Sequence, residues 1–153
     1  MDLYQELILE HSKRPQHSGL REPFDGEAHH VNPTCGDEVT VRAARDGDTL
    51  TDVSYDALGC SISVASASIL AEECIGHSLD DVRGTYAAMR AMLTSKGSDP
   101  GDEEVIGDGV ALAGVAKYPA RVKCALLPWA ALTDALARAG VDISSEATSG
   151  RTA

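Results

Sequence analysis

The sequence predicts an α+β fold: a three-stranded antiparallel meander with helices packed mainly on one face. Three observations predict it. Residues 38–45 alternate, with Val39 and Val41 on one side and Glu38, Thr40 and Arg42 on the other, the period of a half-buried strand. The turns around this stretch are short, so neighbouring strands run antiparallel. Two apolar stripes recur at +3, +4, +3, +4: Leu79, Val82, Tyr86, Met89, Leu93 and Val122, Ala125, Trp129, Leu132, Leu136. Each is one face of an amphipathic helix. Aromatic residues make up only 4% of the 153, so the core is expected to rest on Ala, Val, Leu and Ile.

Taken in order, residues 2–12 read as an N-terminal helix with Leu3, Leu7 and Ile8 on one face. His11 and His17 are read as solvent-facing rather than as ligands. Lys13–Gly26 holds breakers and charges and is expected to be a loop. Residues 27–33 form the first strand, with His29 and His30 on opposite faces as structural residues. Asp46-Gly47-Asp48 is a hairpin turn. Leu50–Leu58 is the third strand, with Val53, Tyr55 and Ala57 on one face. A helix running to about Ile75 follows, capped by Ser61 or Ser63. Its small residues suit close packing on a sheet, and Cys74 within it reads as a core cysteine. Ser78 caps the next helix, with Asp80 and Asp81 in its first turn. Gly97–Gly109 reads as a polar loop, and Val110–Ala116 as one or two further helical turns. Pro128 interrupts the last stripe. Either that helix is kinked there, or it begins near Leu127 with Pro128 in its first turn. Gly140 ends it. The domain is expected to span residues 1–143, with 144–153 a disordered tail.

The chain has a net charge of −11, which argues against nucleic acid as a partner. No apolar run is long enough for a bilayer and no secretion signal opens the chain, so a cytoplasmic location is expected. Its four cysteines are then expected to be reduced.

Three of those cysteines sit where backbone is irregular. Cys35 lies in the turn Asn32-Pro-Thr-Cys-Gly-Asp37, Cys60 at the strand-to-helix junction after Gly59, and Cys124 near the start of the last helix. Cys35 and Asp37 are two residues apart and can point to one side of an extended chain. The helix start at Cys60 favours a thiolate. Arg121 and Lys123 flank Cys124 and would favour one there. Three thiolates and one carboxylate fill a tetrahedral zinc site or offer an open site for an iron–sulfur cluster. The hard oxygen of Asp37 is the weakest partner in so soft a set, which suits a site that exchanges a ligand.

The motifs Asn32-Pro-Thr-Cys-Gly-Asp37, Gly59-Cys60-Ser-Ile-Ser-Val-Ala-Ser-Ala-Ser68 and Arg121-Val-Lys-Cys124 resemble the NifU N-terminal/IscU family of iron–sulfur cluster assembly proteins, over roughly residues 2–140. The opening Leu3-Tyr4, His11, Arg14-Pro15 and Gly19 is similar too. Lys123 stands where IscU scaffolds carry His, and the stretch from Gly97 to Tyr118 is extended; both resemble the SufU branch. The resemblance implies zinc held by Cys35, Asp37, Cys60 and Cys124. It implies a SufS-type cysteine desulfurase carrying PLP as partner, along with other Suf scaffold proteins. Cys35 would be the catalytic sulfur acceptor, freed when a partner residue replaces it. Arg121 and Lys123 would be auxiliary, offsetting charge or docking the partner. The alternatives are a scaffold that builds and transfers a [2Fe–2S] cluster on the same ligands, and a structural zinc domain that only binds partners.

Overall fold

The computed structural model describes residues 3–34 and 36–144. Among these the elements are α1 (Leu3–Lys13), β1 (Gly26–Asn32), β2 (Asp37–Asp46), β3 (Thr49–Leu58), α2 (Ser61–Cys74), α3 (Leu79–Leu93), α4 (Glu103–Ile106), a 3-10 segment (Gly107–Lys117) and α5 (Pro119–Arg138). The strands pair antiparallel in the order β1-β2-β3. The expected meander is therefore present. Residues 145–153, the greater part of the expected tail, lie outside the described residues.

One face of the sheet is apolar because the alternation places Ala28, Val39, Val41, Ala43, Val53 and Tyr55 on it, all buried. α5 covers β1 and β2 on this face and α2 covers β3. The outer face stays polar, with an Arg42–Glu27 ion pair at 2.6 Å. There the loop after α1 crosses the edge strand β3. The Gly19 N–H donates to the Tyr55 carbonyl at 2.8 Å, and Arg21 pairs with Asp52. This contact occupies part of an otherwise open sheet edge. His29 and His30 do fall on opposite faces: His29 meets Thr40 and Glu38, and His30 meets Asp134 of α5.

α2 lies deeper than expected. It packs on α1 and α5 as well as on β3, and its serines satisfy neighbours rather than solvent. Ser66 Oγ accepts from Trp129 Nε1 at 3.1 Å and donates to the Ala125 carbonyl at 2.6 Å. Neither Ser61 nor Ser63 caps the helix. Cys60 is its N-cap, its side chain making no capping bond to the helix N–H groups, and Ser63 Oγ donates back to the Cys60 carbonyl at 3.1 Å. Ser78 does cap α3, accepting from Asp81 N–H at 3.0 Å, and the α3 stripe is buried throughout. Cys74 is a core thiol, its pKa pushed up to about 12 by burial and the neighbouring Glu73.

His11 is not solvent-facing. It is 6% exposed, with Nδ1 on Ser68 Oγ at 2.7 Å and Nε2 on Asp108 Oδ2 at 2.9 Å. It joins α1, α2 and the 3-10 segment, a role that depends on partners far away in sequence. The stretch expected to be a loop as far as Gly109 is also more ordered: Asp102 caps α4, accepting from Glu104 N–H, and the 3-10 segment starts at Gly107. The last helix starts earlier than Leu127. Pro119 opens it, where a fixed φ and a missing N–H cost nothing. It then runs unbroken through Pro128, which cannot donate to the Cys124 carbonyl. Gly140 follows its end at φ 88°. No helix among the described residues is long and apolar enough to cross a membrane.

Burial also raises the Glu73 carboxyl above its ordinary 4.5, beside Asp108 and Glu72. A carboxyl raised in the folded state costs stability once ionised, so stability falls as pH rises through the folded-state value. Glu73→Gln is expected to raise Tm at pH 7 and to leave it unchanged below about pH 4, where the carboxyl is protonated in both states. Melting curves at the two pH values check this, and an equal shift at both would contradict it.

Candidate metal centre

The closing pair of the β1–β2 hairpin is Asn32 opposite Asp37. Directly opposed residues share a face, and both side chains turn inward and are buried. The turn between them is held by the Gly36 N–H, which donates to the Asn32 carbonyl at 2.8 Å, with Gly36 at φ 74°. Few residues other than glycine take that backbone conformation. Cys35 itself lies outside the described residues, between Thr34 and Gly36.

Asp37 reaches the start of α2. Its Oδ1 accepts the Cys60 N–H at 2.8 Å and its Oδ2 lies 3.6 Å from Cys60 Sγ. Gly59 makes this approach possible: at φ 142°, a Cβ there would collide with Oδ1 of Asp37. Ser63 Oγ stands 3.7 Å from the same sulfur. From the other side, α5 brings in Cys124, whose Sγ is 3.6 Å from the Ala120 carbonyl and 3.9 Å from Asn32 Nδ2. Asp37 is 0% exposed and Cys124 2% exposed, while Cys60 is half-buried.

One ligand-type atom from each of Asp37, Cys60 and Cys124 lies within 4.8 Å of the others. Bonds of about 2.3 Å to sulfur and 2.0 Å to oxygen, at a tetrahedral angle, separate the two atoms by about 3.5 Å. The Cys60–Asp37 distance of 3.6 Å matches that spacing. The Asp37 carboxyl is fully buried, and among the described residues no cationic side chain pairs with it. A carboxylate taken out of water needs a counter-charge. A cation between these three side chains would supply it, so the residues present fit a zinc ion.

Arg121 and Lys123 are exposed at the start of α5, and Arg121 lies over the Tyr118 ring at 6.0 Å. Neither forms an ion pair among the described residues. Apolar side chains are exposed near this end of the sheet and helix: Val31 (53%), Leu58 (59%) and Tyr118 (58%). A second group of ligand-type atoms, from His11, Glu72 and Asp108, also lies within 4.8 Å. There both ring nitrogens of His11 are already hydrogen-bonded, so the cluster is a hydrogen-bonded knot in the fold. His17 is exposed and joins neither group. Asn32 and Ser63, which both touch a site sulfur, are the participants that sequence reasoning missed. The signal for Asn32 is its register position across the hairpin from Asp37.

The NifU-like N terminal domain model matches residues 3–125. The chain is 38% identical, over 138 residues (89% of this chain, 84% of the relative), to the iron–sulfur cluster assembly scaffold protein IscU of Streptococcus pyogenes. It is 36% identical, over 137 residues (89% and 90%), to the zinc-dependent sulfurtransferase SufU of Bacillus subtilis. Among solved structures, it superposes with a TM-score of 0.78 and 35% identity on an iron–sulfur cluster assembly scaffold protein for the SUF system from Fervidobacterium islandicum, covering 86% of this chain and 94% of that one. A nitrogen-fixing NifU-like protein (N-terminal) from Brucella abortus gives a TM-score of 0.81 at 28% identity, covering 90% and 94%. With its three cysteine motifs and hairpin carboxylate on this fold, the chain belongs to the NifU-like N terminal domain family of iron–sulfur cluster assembly proteins.

Proposed function

We propose that the protein is a zinc-dependent sulfur acceptor of the SUF system. Cys35, Asp37, Cys60 and Cys124 are its metal ligands. Cys35 is the residue that takes sulfur from a SufS-type, PLP-dependent cysteine desulfurase and passes it on to other Suf scaffold proteins. The observation that carries this reading is the buried Asp37 carboxylate, set at zinc-ligand spacing from a cysteine sulfur and lacking a cationic partner among the described residues. The relative named a zinc-dependent sulfurtransferase supports the same assignment. So do Lys123, in place of a histidine before the third cysteine, and the long 97–118 stretch. A cytoplasmic location belongs to this reading.

Zinc, when bound, keeps the thiols deprotonated and shielded. The remaining chemistry is that of the chain. The Cys35 thiolate attacks the terminal sulfur of the desulfurase persulfide. The sulfur–sulfur bond of the donor breaks, its cysteine leaves as a thiolate, and a new persulfide forms on Cys35. No oxidant is needed, because the sulfane sulfur is transferred without change of oxidation state. The Asp37 oxygen and the Cys60 and Cys124 sulfurs, which lie within 4.8 Å of one another, stay in place during the transfer. Arg121 and Lys123 supply a local positive charge on an acidic molecule, and Val31, Leu58 and Tyr118 offer apolar surface for the partner to cover.

Two measurements test the reading together. Purified protein is expected to hold about one zinc per chain. Adding it to the desulfurase is expected to raise cysteine turnover, and Cys35→Ala is expected to abolish that stimulation. Undiminished stimulation by the variant would defeat the proposal. The scaffold named among the relatives favours a second reading, in which a [2Fe–2S] cluster is built on the same residues. Anaerobic reconstitution giving a stable cluster that transfers to an apo-protein would support that reading instead.

A further inference from the structure

We propose that Asn32 is a positioning residue of the metal centre: its side-chain amide holds the Cys124 sulfur while its oxygen and its backbone carbonyl hold the 33–36 turn. The inference rests on the zinc reading above and assigns a role within that site. Asn32 is 7% exposed, too buried to be a surface turn residue. Its Oδ1 accepts the Thr34 N–H at 3.2 Å and its carbonyl accepts the Gly36 N–H at 2.8 Å. The backbone donor at Thr34 decides which end of the amide is oxygen. The NH2 end then faces Cys124 Sγ at 3.9 Å.

The two halves of the hairpin's closing pair thus serve the Cys60 and Cys124 thiols differently. Asp37 sends an acceptor toward Cys60, and Asn32 sends a donor toward Cys124. A donor is what a metal-bound thiolate requires there. An N–H···S bond draws electron density from the sulfur and fixes its direction, as outer partners of metal ligands do. A carboxylate at position 32 would instead repel the thiolate. Because one side chain grips both the turn and Cys124, it also couples the loop containing Cys35 to the far wall of the site. That coupling keeps the site assembled when its ligands exchange.

Cobalt(II) titration of the full-length protein tests this without any desulfurase. Thiolate-to-cobalt charge-transfer absorption reports the electron density on the ligating sulfurs. Asn32→Ala removes both the N–H donor and the turn acceptor. Asn32→Ser keeps a short oxygen that can accept the Thr34 N–H but cannot reach Cys124. Both variants are expected to move the charge-transfer band to longer wavelength. Asn32→Ala is expected to lose cobalt to a chelator roughly 10- to 100-fold faster than wild type, and Asn32→Ser to lose it at a rate between the two. Unshifted bands in both variants would overturn the role of Asn32 while leaving the zinc reading intact. Absence of any thiolate-to-cobalt band in the wild type would overturn the zinc reading itself.

Discussion

Asp37→Ala is expected to weaken zinc binding by about two orders of magnitude while making the metal-free protein more stable. The first effect follows from ligand count. In the proposed four-ligand site, where a structural zinc is worth about 10–16 kcal/mol in all, Asp37 as the weakest partner carries less than an even share, about 2–3 kcal/mol, and each 1.4 kcal/mol is about tenfold. The second follows from burial. Asp37 is fully buried, accepts the Cys60 N–H at 2.8 Å, and has no cationic side chain against it among the described residues. Removing it leaves that N–H without its acceptor, at a cost of about 1–3 kcal/mol. It also relieves a buried carboxylate, whose desolvation costs several kcal/mol. Relief of the buried charge outweighs the lost hydrogen bond, so Tm of the metal-free variant rises. Competitive zinc titration against a chromophoric chelator, and melting curves with and without metal, read the two effects separately. Wild-type zinc affinity in the variant would remove Asp37 from the ligand set. A lower metal-free Tm would show that the carboxyl serves the fold rather than the ion.

Gly59→Ala is expected to damage both stability and metal binding, through contact rather than through charge. Gly59 is at φ 142°, and a Cβ built on it would lie 2.9 Å from the Cα of Asp37 and collide with Oδ1. The backbone of β2 is locked in the sheet register and yields little. Asp37 must therefore turn away, breaking its bond to the Cys60 N–H and leaving the position where it meets the sulfurs. The backbone conformation alone costs about 1–3 kcal/mol for a residue with a side chain. A useful control is Gly47→Ala in the β2–β3 hairpin, at φ 60° with nothing within 4 Å of the added carbon. It is expected to lower Tm through backbone strain alone and to leave zinc affinity unchanged. If Gly59→Ala binds zinc as the Gly47 variant does, the close approach of Gly59 to Asp37 is not what shapes the site.

Some of the features behind these expectations are legible in the sequence and others are not. The alternation of Val39 and Val41 and the turn at Gly47 disclose the meander, because strand period and turn chemistry are local. The stripe from Leu79 to Leu93 and the cap at Ser78 disclose α3 for the same reason. The start of α5 is harder to read, because Pro128 stands inside the stripe as a breaker while Pro119 lies ahead of it and opens the helix. His11 escapes a sequence reading for a different reason. Its partners Ser68 and Asp108 are 57 and 97 residues away, and nothing near position 11 indicates that two other elements will close over it.

By itself, the sequence determined the three strands and the α3 helix, the face of each strand that is apolar, and the kinds of atoms available for a site: soft sulfurs at turns and a helix start, with a carboxylate two residues from one of them. Those properties depend on side-chain chemistry and on periods of two or about 3.6 residues, which are local. Only the tertiary structure decided which atoms meet. It brought Cys124 against Asn32 across 92 residues and set Asp37 against Cys60 through a contact that Gly59 permits. It also buried the carboxyl where a cation is its natural partner. The physical reason is that distances between remote side chains follow from sheet register and helix packing, which the whole core sets at once.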